Sequence, residues 1–193
     1  MTAIDDLRSL LPVPPSVSRP AIDWVAVEQR IGIALPDDYE QLAGSYGESE
    51  FSSIVRLSVP DATSPSADLE WWIKDARERL ENPDLPPECD DIPEGFSLNP
   101  ASLTAWGRLA DGGYCLWNSS DGDPNTWPVV IGSKTHTRWG FYRGTATEFL
   151  NALLTESLPA GRLFDEFVDM VDEFGAYCDF YHEGRKIDRV TAA

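Results

Sequence analysis

Histidine, cysteine and methionine are all scarce in this chain: two, three and two residues among 193. The histidines, His136 and His182, stand apart. There is no His-x-x-x-His, no Cys-x-x-Cys and no Gly-x-Ser-x-Gly, so neither a zinc site, a redox dithiol nor a hydrolase nucleophile elbow can be read from the spacing. Cys89, Cys115 and Cys178 are widely separated and odd in number, which points to reduced thiols in the cytoplasm over a disulfide framework. No apolar run approaches the ~18 residues of a membrane span. Met1 to Leu11 carries Asp5 and Asp6 and lacks a basic head, which argues against a secretory signal. Basic residues are the other shortage: 15 Lys and Arg face 33 Asp and Glu, for a net charge of −18. Nucleic acid and anionic membrane surfaces both demand clustered Lys and Arg, so neither is an expected ligand.

The acid is unevenly spread. Residues 1–60 carry −5, 61–100 carry −8, 101–160 only −1, 161–183 carry −6, and the last ten +2. Two acidic blocks thus flank a nearly neutral centre. Such a distribution suits a basic partner, and it also serves solubility. Hydrophobic residues make up 42% of the chain, ordinary for a globular protein with one sizeable core.

Local signals are clearest between Trp24 and Gly47. Trp24, Val27 and Ile31 recur at helical spacing, with Asp23 placed as N-cap and Gly32 as a left-handed stop. Pro36 suits a first helical position, and Asp37, Asp38 and Glu40 put negative charge where the helix dipole is positive. Tyr39, Leu42 and Tyr46 then form an inward stripe that Gly47 ends. The same residues resemble the opening of the SUKH superfamily (Smi/Knr-like immunity and scaffold proteins): Trp24, Glu28, Gly32, Leu35, Pro36, Asp38, Tyr39, Tyr46 and Gly47 fall in the family's order. Trp106-Gly107 followed by Asp111 to Trp117 resembles its central hairpin. Asp123 to Val130 is similar to its next loop and strand, and Gly144, Thr145, Phe149 and Leu150 to its closing helix. The resemblance covers roughly residues 20 to 158. It implies an α+β binding module, not an enzyme, with no metal and no cofactor. Many bacterial members neutralise a toxin, often a nuclease, whereas fungal relatives act as regulatory scaffolds for the cell wall.

Elsewhere the pattern predicts a single SUKH-like domain over residues 1–193. Residues 1–20, with four prolines, read as a surface lead-in. Phe51 to Val59 alternates as a strand. Asp68 to Leu80 carries a helical stripe of Leu69, Trp72, Ile73, Ala76 and Leu80. Residues 60–99 make an acidic helix-loop excursion. Strands are predicted around Leu103–Leu109, Tyr114–Asn118, Trp127–Gly132 and Arg138–Tyr142, separated by strong turn signals that favour an antiparallel sheet. Thr145 and Glu148 fit a capping box for a helix continuing through Phe149, Leu150, Leu153, Leu154 and Leu158. Arg162 to Phe174 is helical in period, inside a C-terminal extension (161–193). The expected fold is thus α+β: two N-terminal helices, a central antiparallel sheet and C-terminal helices.

Two surfaces stand out. On the Arg162–Phe174 helix, Leu163, Phe164, Phe167, Val168, Met170, Val171 and Phe174 share one arc, and Asp165, Glu166, Asp169, Asp172 and Glu173 the other. Acids three and four apart repel, and no Lys or Arg interleaves to relieve them. On the Asp68–Leu80 helix, Trp71 projects away from the core near Asp75 and Glu78, a hot-spot composition. The candidate contact set for a basic protein partner is therefore Glu70, Trp71, Asp75, Glu78 and the acidic loop residues Asp90, Asp91 and Glu94. Asp165, Asp169 and Asp172 form a second. Catalytic candidates are thin: Cys115 with His136 has nothing to fix its geometry. Asp121, Asp123 and Asn125 echo a calcium loop, but Thr126 stands where the sharp-turn glycine belongs and Gly132 where the bidentate Glu belongs.

Overall fold

In the computed structural model, which describes residues 2–17, 21–80, 99–119, 122–135 and 137–192, the chain forms six α-helices and one eight-stranded sheet, a mixed α+β fold. Three helices come first: α1 (Ala3–Leu10), α2 (Trp24–Ile31) and α3 (Asp37–Tyr46). The local signals at α2 hold. Asp23 accepts from the Ala26 amide, and Gly32 closes the helix at φ 77°. Pro36 is the N-cap of α3, with its own backbone extended, so the helix starts one residue later than expected, at Asp37.

The prolines at 12 to 20 hide an unexpected element. Residues 1–20 are not only a surface lead-in: α1 has a capping box between Thr2 and Asp5, and it buries Ile4 and Leu7. Leu11 and Val17 are buried behind it. The Tyr46 hydroxyl donates to the Leu11 carbonyl (2.8 Å), and Arg8 donates to the Ser45 hydroxyl (2.6 Å), so α1 is tied to α3.

The stretch Phe51 to Val59 is a hairpin, not one strand. β1 (Ser49–Phe51) and β2 (Val55–Leu57) pair across a tight turn in which Ser52 and Ser53 both take positive φ. After α4 (Leu69–Leu80) come β3 (Leu103–Leu109), β4 (Tyr114–Asn118), β5 (Val129–Gly132) and β6 (Trp139–Tyr142), close to the predicted bounds. Helix α5 (Ala146–Leu154) starts on the expected Thr145/Glu148 capping box but stops at Thr155, so Leu158 packs from a loop. Helix α6 (Arg162–Phe174) spans the predicted residues. The chain then adds a second hairpin, β7 (Tyr177–His182) and β8 (Arg185–Thr191), that no pattern announced.

Strand order is β6-β5-β4-β3-β2-β1-β7-β8, with antiparallel neighbours throughout. The C-terminal segment is therefore built into the sheet, because β7 pairs directly with β1. Side chains alternate between the two faces of a strand, and the helices divide accordingly. Trp106 meets Phe149 of α5, while Phe51 and Phe180 meet Tyr46 of α3. Phe164 of α6 lies directly over Gly140, where a Cβ would overlap its ring. Helix α4 covers the opposite face: Trp72 packs edge-on to Tyr114 and lies beneath the Arg108 guanidinium. Among the described residues no helix is long and apolar enough to cross a membrane.

Candidate functional site

The α4 surface has the right residue types but little free charge. Trp71 is exposed (46%), as projected. Its neighbours are engaged, however. Glu70 accepts from Arg30 of α2 at 2.7 Å. Asp75, expected at the surface beside Trp71, turns inward instead. Its side chain is 14% exposed and holds Arg79 at 2.9 Å and the Tyr114 hydroxyl. Burial, and then that contact, push the Tyr114 phenol well above its ordinary value. Glu78 lies 3.8 Å from Lys74 one turn back. Lys74, Arg77 and Arg79 balance Glu70, Asp75 and Glu78 along the helix, so α4 presents no net negative field. The remaining members of that set, Asp90, Asp91 and Glu94, lie outside the described residues, as do Cys89, Asp121 and His136.

The α6 surface keeps its charge. Asp165, Glu166, Asp169, Asp172 and Glu173 are all exposed, while Leu163, Phe164, Phe167 and Val171 are buried beneath them. Asp165 accepts from the Gly161 amide at the N-terminus (3.3 Å), and Glu166 pairs with Arg138, which reaches in from the segment before β6. No cation pairs with Asp169, Asp172 or Glu173 among the described residues. Two of these three sit in the last turn, where the helix dipole already disfavours negative charge. Repulsion between acids one turn apart adds a few tenths of a kcal/mol per pair. This face is thus not arranged for the helix's own stability.

The apolar arc of α6 is also not fully covered. Met170 and Phe174, expected on the buried side, are 37% and 62% exposed. Helix α6 packs against α5 and β6. Beside Met170 runs a groove of about 200 Å³ lined by Ser53, Leu109, Asp111, Leu163 and Phe167. Sequence periodicity places a residue on an arc; it does not say how far the covering layer extends.

The residues that carry the SUKH resemblance do structural work. Glu28 accepts from the Leu35 amide (2.7 Å) and so holds the α2–α3 joint closed. Asp38 accepts from the Thr147 amide in the first turn of α5 (3.0 Å). Tyr39 is fully buried, edge-on to Trp24 and Trp117, and donates to the Ser58 carbonyl. Trp24 and Ile31 are only partly buried at the edge of this cluster. Asp123 and Asn125 cap: Asp123 starts a short 3₁₀ turn, and Asn125 exchanges hydrogen bonds with Asp37 at the start of α3. Cys115 is fully buried on β4, and burial pushes its thiol well above the usual range. Among the described residues no three His, Cys, Asp or Glu side chains group as metal ligands would.

Compared with protein-family models, with curated proteins and with solved structures, the chain has no match.

Proposed function

We propose that this chain is a non-catalytic immunity protein of the SUKH type, acting in a bacterial cytoplasm by binding a basic toxin domain, with a nuclease the expected class. The observation that carries the proposal is the outer face of α6: five exposed acids, three without a paired cation among the described residues, beside exposed Met170 and Phe174 and an apolar groove. Acids that destabilise their own helix gain when a cationic surface approaches, and the gain appears first in the association rate. Exposed aromatic and thioether side chains then supply the desolvated anchors that slow release. Inhibition follows from occlusion, because a nuclease must keep its basic substrate channel open to phosphates.

Helices α2 and α3, the β3–β4 hairpin, β5 and the capped start of α5 fall on the residues that carry the SUKH resemblance, which supports a SUKH-like scaffold with a separate binding face. Trp71 on α4 remains a second contact region, on the other side of the sheet from α6. The test is binding to a toxin domain encoded beside this gene. A one-to-one complex that abolishes toxin activity and forms more slowly as salt rises is the expected result. A neighbour bound equally fast at high salt removes the electrostatic step. A gene standing alone, with a growth phenotype on deletion, moves the protein to the regulatory scaffolds.

A further inference from the structure

The sheet face that carries α4 also carries a row of charge. Register pairing sets Arg189 of β8, Asp179 of β7, Glu50 of β1, Arg56 of β2, Arg108 of β3 and Tyr114 of β4 side by side on it. Tyr114 packs on Trp72, so α4 covers the β4 end of this row. Asp179 is already held by Arg189 and Lys186. Arg56 and Arg108 are not matched in that way: the two arginines stand directly opposite one another on neighbouring strands. Like charges so placed are destabilising. A chain of net charge −18 has carboxylates to spare, yet none is hydrogen-bonded to either guanidinium among the described residues.

Arg56 is 8% exposed, and its side chain makes no hydrogen bond among the described residues. Glu50 lies 3.9 Å from its Nη1, beyond hydrogen-bond reach. The guanidinium lies over the Tyr181 ring, 4.3 Å from the centroid. Its Nε is out of solvent without an acceptor, whereas Nη1 and Nη2 are not sealed. Arg108 is partly exposed, lies over the Trp72 ring at 5.5 Å, and donates its Nε–H to the Ser66 carbonyl (3.1 Å). Its terminal nitrogens have no acceptor among the described residues. Each guanidinium is thus fixed on its face by an aromatic ring, with its outer pair of N–H groups left over. Burial, and then the Arg56 charge, pull the Arg108 guanidinium below its ordinary value. A nearly buried cation without an acceptor costs free energy that an arriving anion offsets.

We infer that Arg56 and Arg108 together bind a phosphate group, each through its terminal N–H groups. A carboxylate has two oxygens and fills one such fork, whereas a tetrahedral phosphate offers oxygens to both. Glu50 illustrates the point, since a carboxylate already stands beside Arg56 and leaves its N–H groups unmet. The phosphate can arrive as the free ion or as a phosphomonoester.

NMR titration of the arginine Nε–H signals reads both side chains directly. With sodium phosphate at constant ionic strength, saturable shifts are expected for Arg56 and Arg108 but not for the exposed Arg143 and Arg185, and none with sodium acetate. Arg108→Gln should weaken phosphate binding roughly tenfold or more. Arg108→Lys keeps the charge but loses the fork, so it should weaken binding as well. Glu50→Gln should act in the opposite sense: it removes the negative charge beside Arg56, tightening binding roughly threefold while lowering the melting temperature. A purely structural arginine pair predicts no such opposition. Phenyl phosphate binding more tightly than inorganic phosphate assigns the occupant to an ester; equal or weaker binding assigns the free ion. Equal shifts with acetate, shifts spread over Arg143 and Arg185, undiminished binding by Arg108→Gln, weaker binding by Glu50→Gln, or no saturable shift with either phosphate overturns the site.

Discussion

At the residue scale, single side chains fix the joints between elements, and their removal should be felt in stability. Glu28 holds the Leu35 amide across the α2–α3 turn. Glu28→Ala leaves that donor without its charged partner, and a loss of about 1.5–3 kcal/mol is expected from chemical denaturation. Gly140→Ala drives a methyl into the Phe164 ring, so α6 must shift off the sheet. Overpacking of this kind costs about 1–3 kcal/mol, and the same denaturation measurement checks it. Caps were legible in the sequence because they act over three or four residues: Asp23, Gly32 and the Thr145/Glu148 pair behave as expected. The inward turn of Asp75 was not legible. Its partner Tyr114 is 39 residues away, and no local pattern records that contact.

At the element scale, the sequence announced helices and strands where apolar spacing and turn chemistry agreed, and failed where they did not. The β1–β2 turn is made by Ser52 and Ser53 at positive φ, positions where Gly or Asn is the usual signal, so one strand was predicted in place of two. Helix α1 has only eight residues and is followed by prolines, which masked its two buried anchors. The β7–β8 hairpin turns at Glu183-Gly184, both at positive φ. Neither Tyr177–His182 nor Arg185–Thr191 alternates apolar and polar residues, so Gly184 stood without the flanking pattern that marks a hairpin. That hairpin is clamped by Asp179, which is 3% exposed and held by Arg189 through both carboxylate oxygens and by Lys186 at 3.6 Å. Arg189→Ala leaves Lys186 as the one remaining cation, among the described residues, on a buried carboxylate. A loss of about 2 kcal/mol is expected, softened because Arg189 itself is partly in solvent. Hydrogen exchange should show it as faster opening of β7 and β8 ahead of β3 and β4.

At the scale of the whole molecule, the fold places its charge on surfaces that stability does not require, and buries phenols that alkali must ionise. Tyr39, Tyr46, Tyr114, Tyr142 and Tyr181 all have phenols raised above the ordinary value of 10.0, with burial the leading cause. In the unfolded chain they titrate near 10. A raised folded value means that their contribution is complete below about pH 10 and is lost as pH rises through the folded values. Alkaline titration should therefore show the phenolate absorbance of Tyr39, Tyr46 and Tyr114, the most strongly raised, appearing together with loss of the fold, not before it. The net charge pointed from sequence to a basic partner, yet only the tertiary arrangement ranks the faces. Helix α4 cancels its acids with Lys74, Arg77 and Arg79, whereas α6 leaves Asp169, Asp172 and Glu173 uncompensated among the described residues.

The most direct test of the proposed role is the salt dependence of association with any toxin domain found encoded beside the gene. The comparison is between the wild type, an Asp169→Asn, Asp172→Asn, Glu173→Gln triple variant and a control, Asp6→Asn on the exposed side of α1, outside both candidate contact sets. Charge steering through α6 predicts that the triple variant associates at least tenfold more slowly at low salt, with a flatter salt dependence, while the control matches the wild type. A triple variant that associates as fast as the wild type at every salt concentration contradicts the assignment of α6 as the binding face.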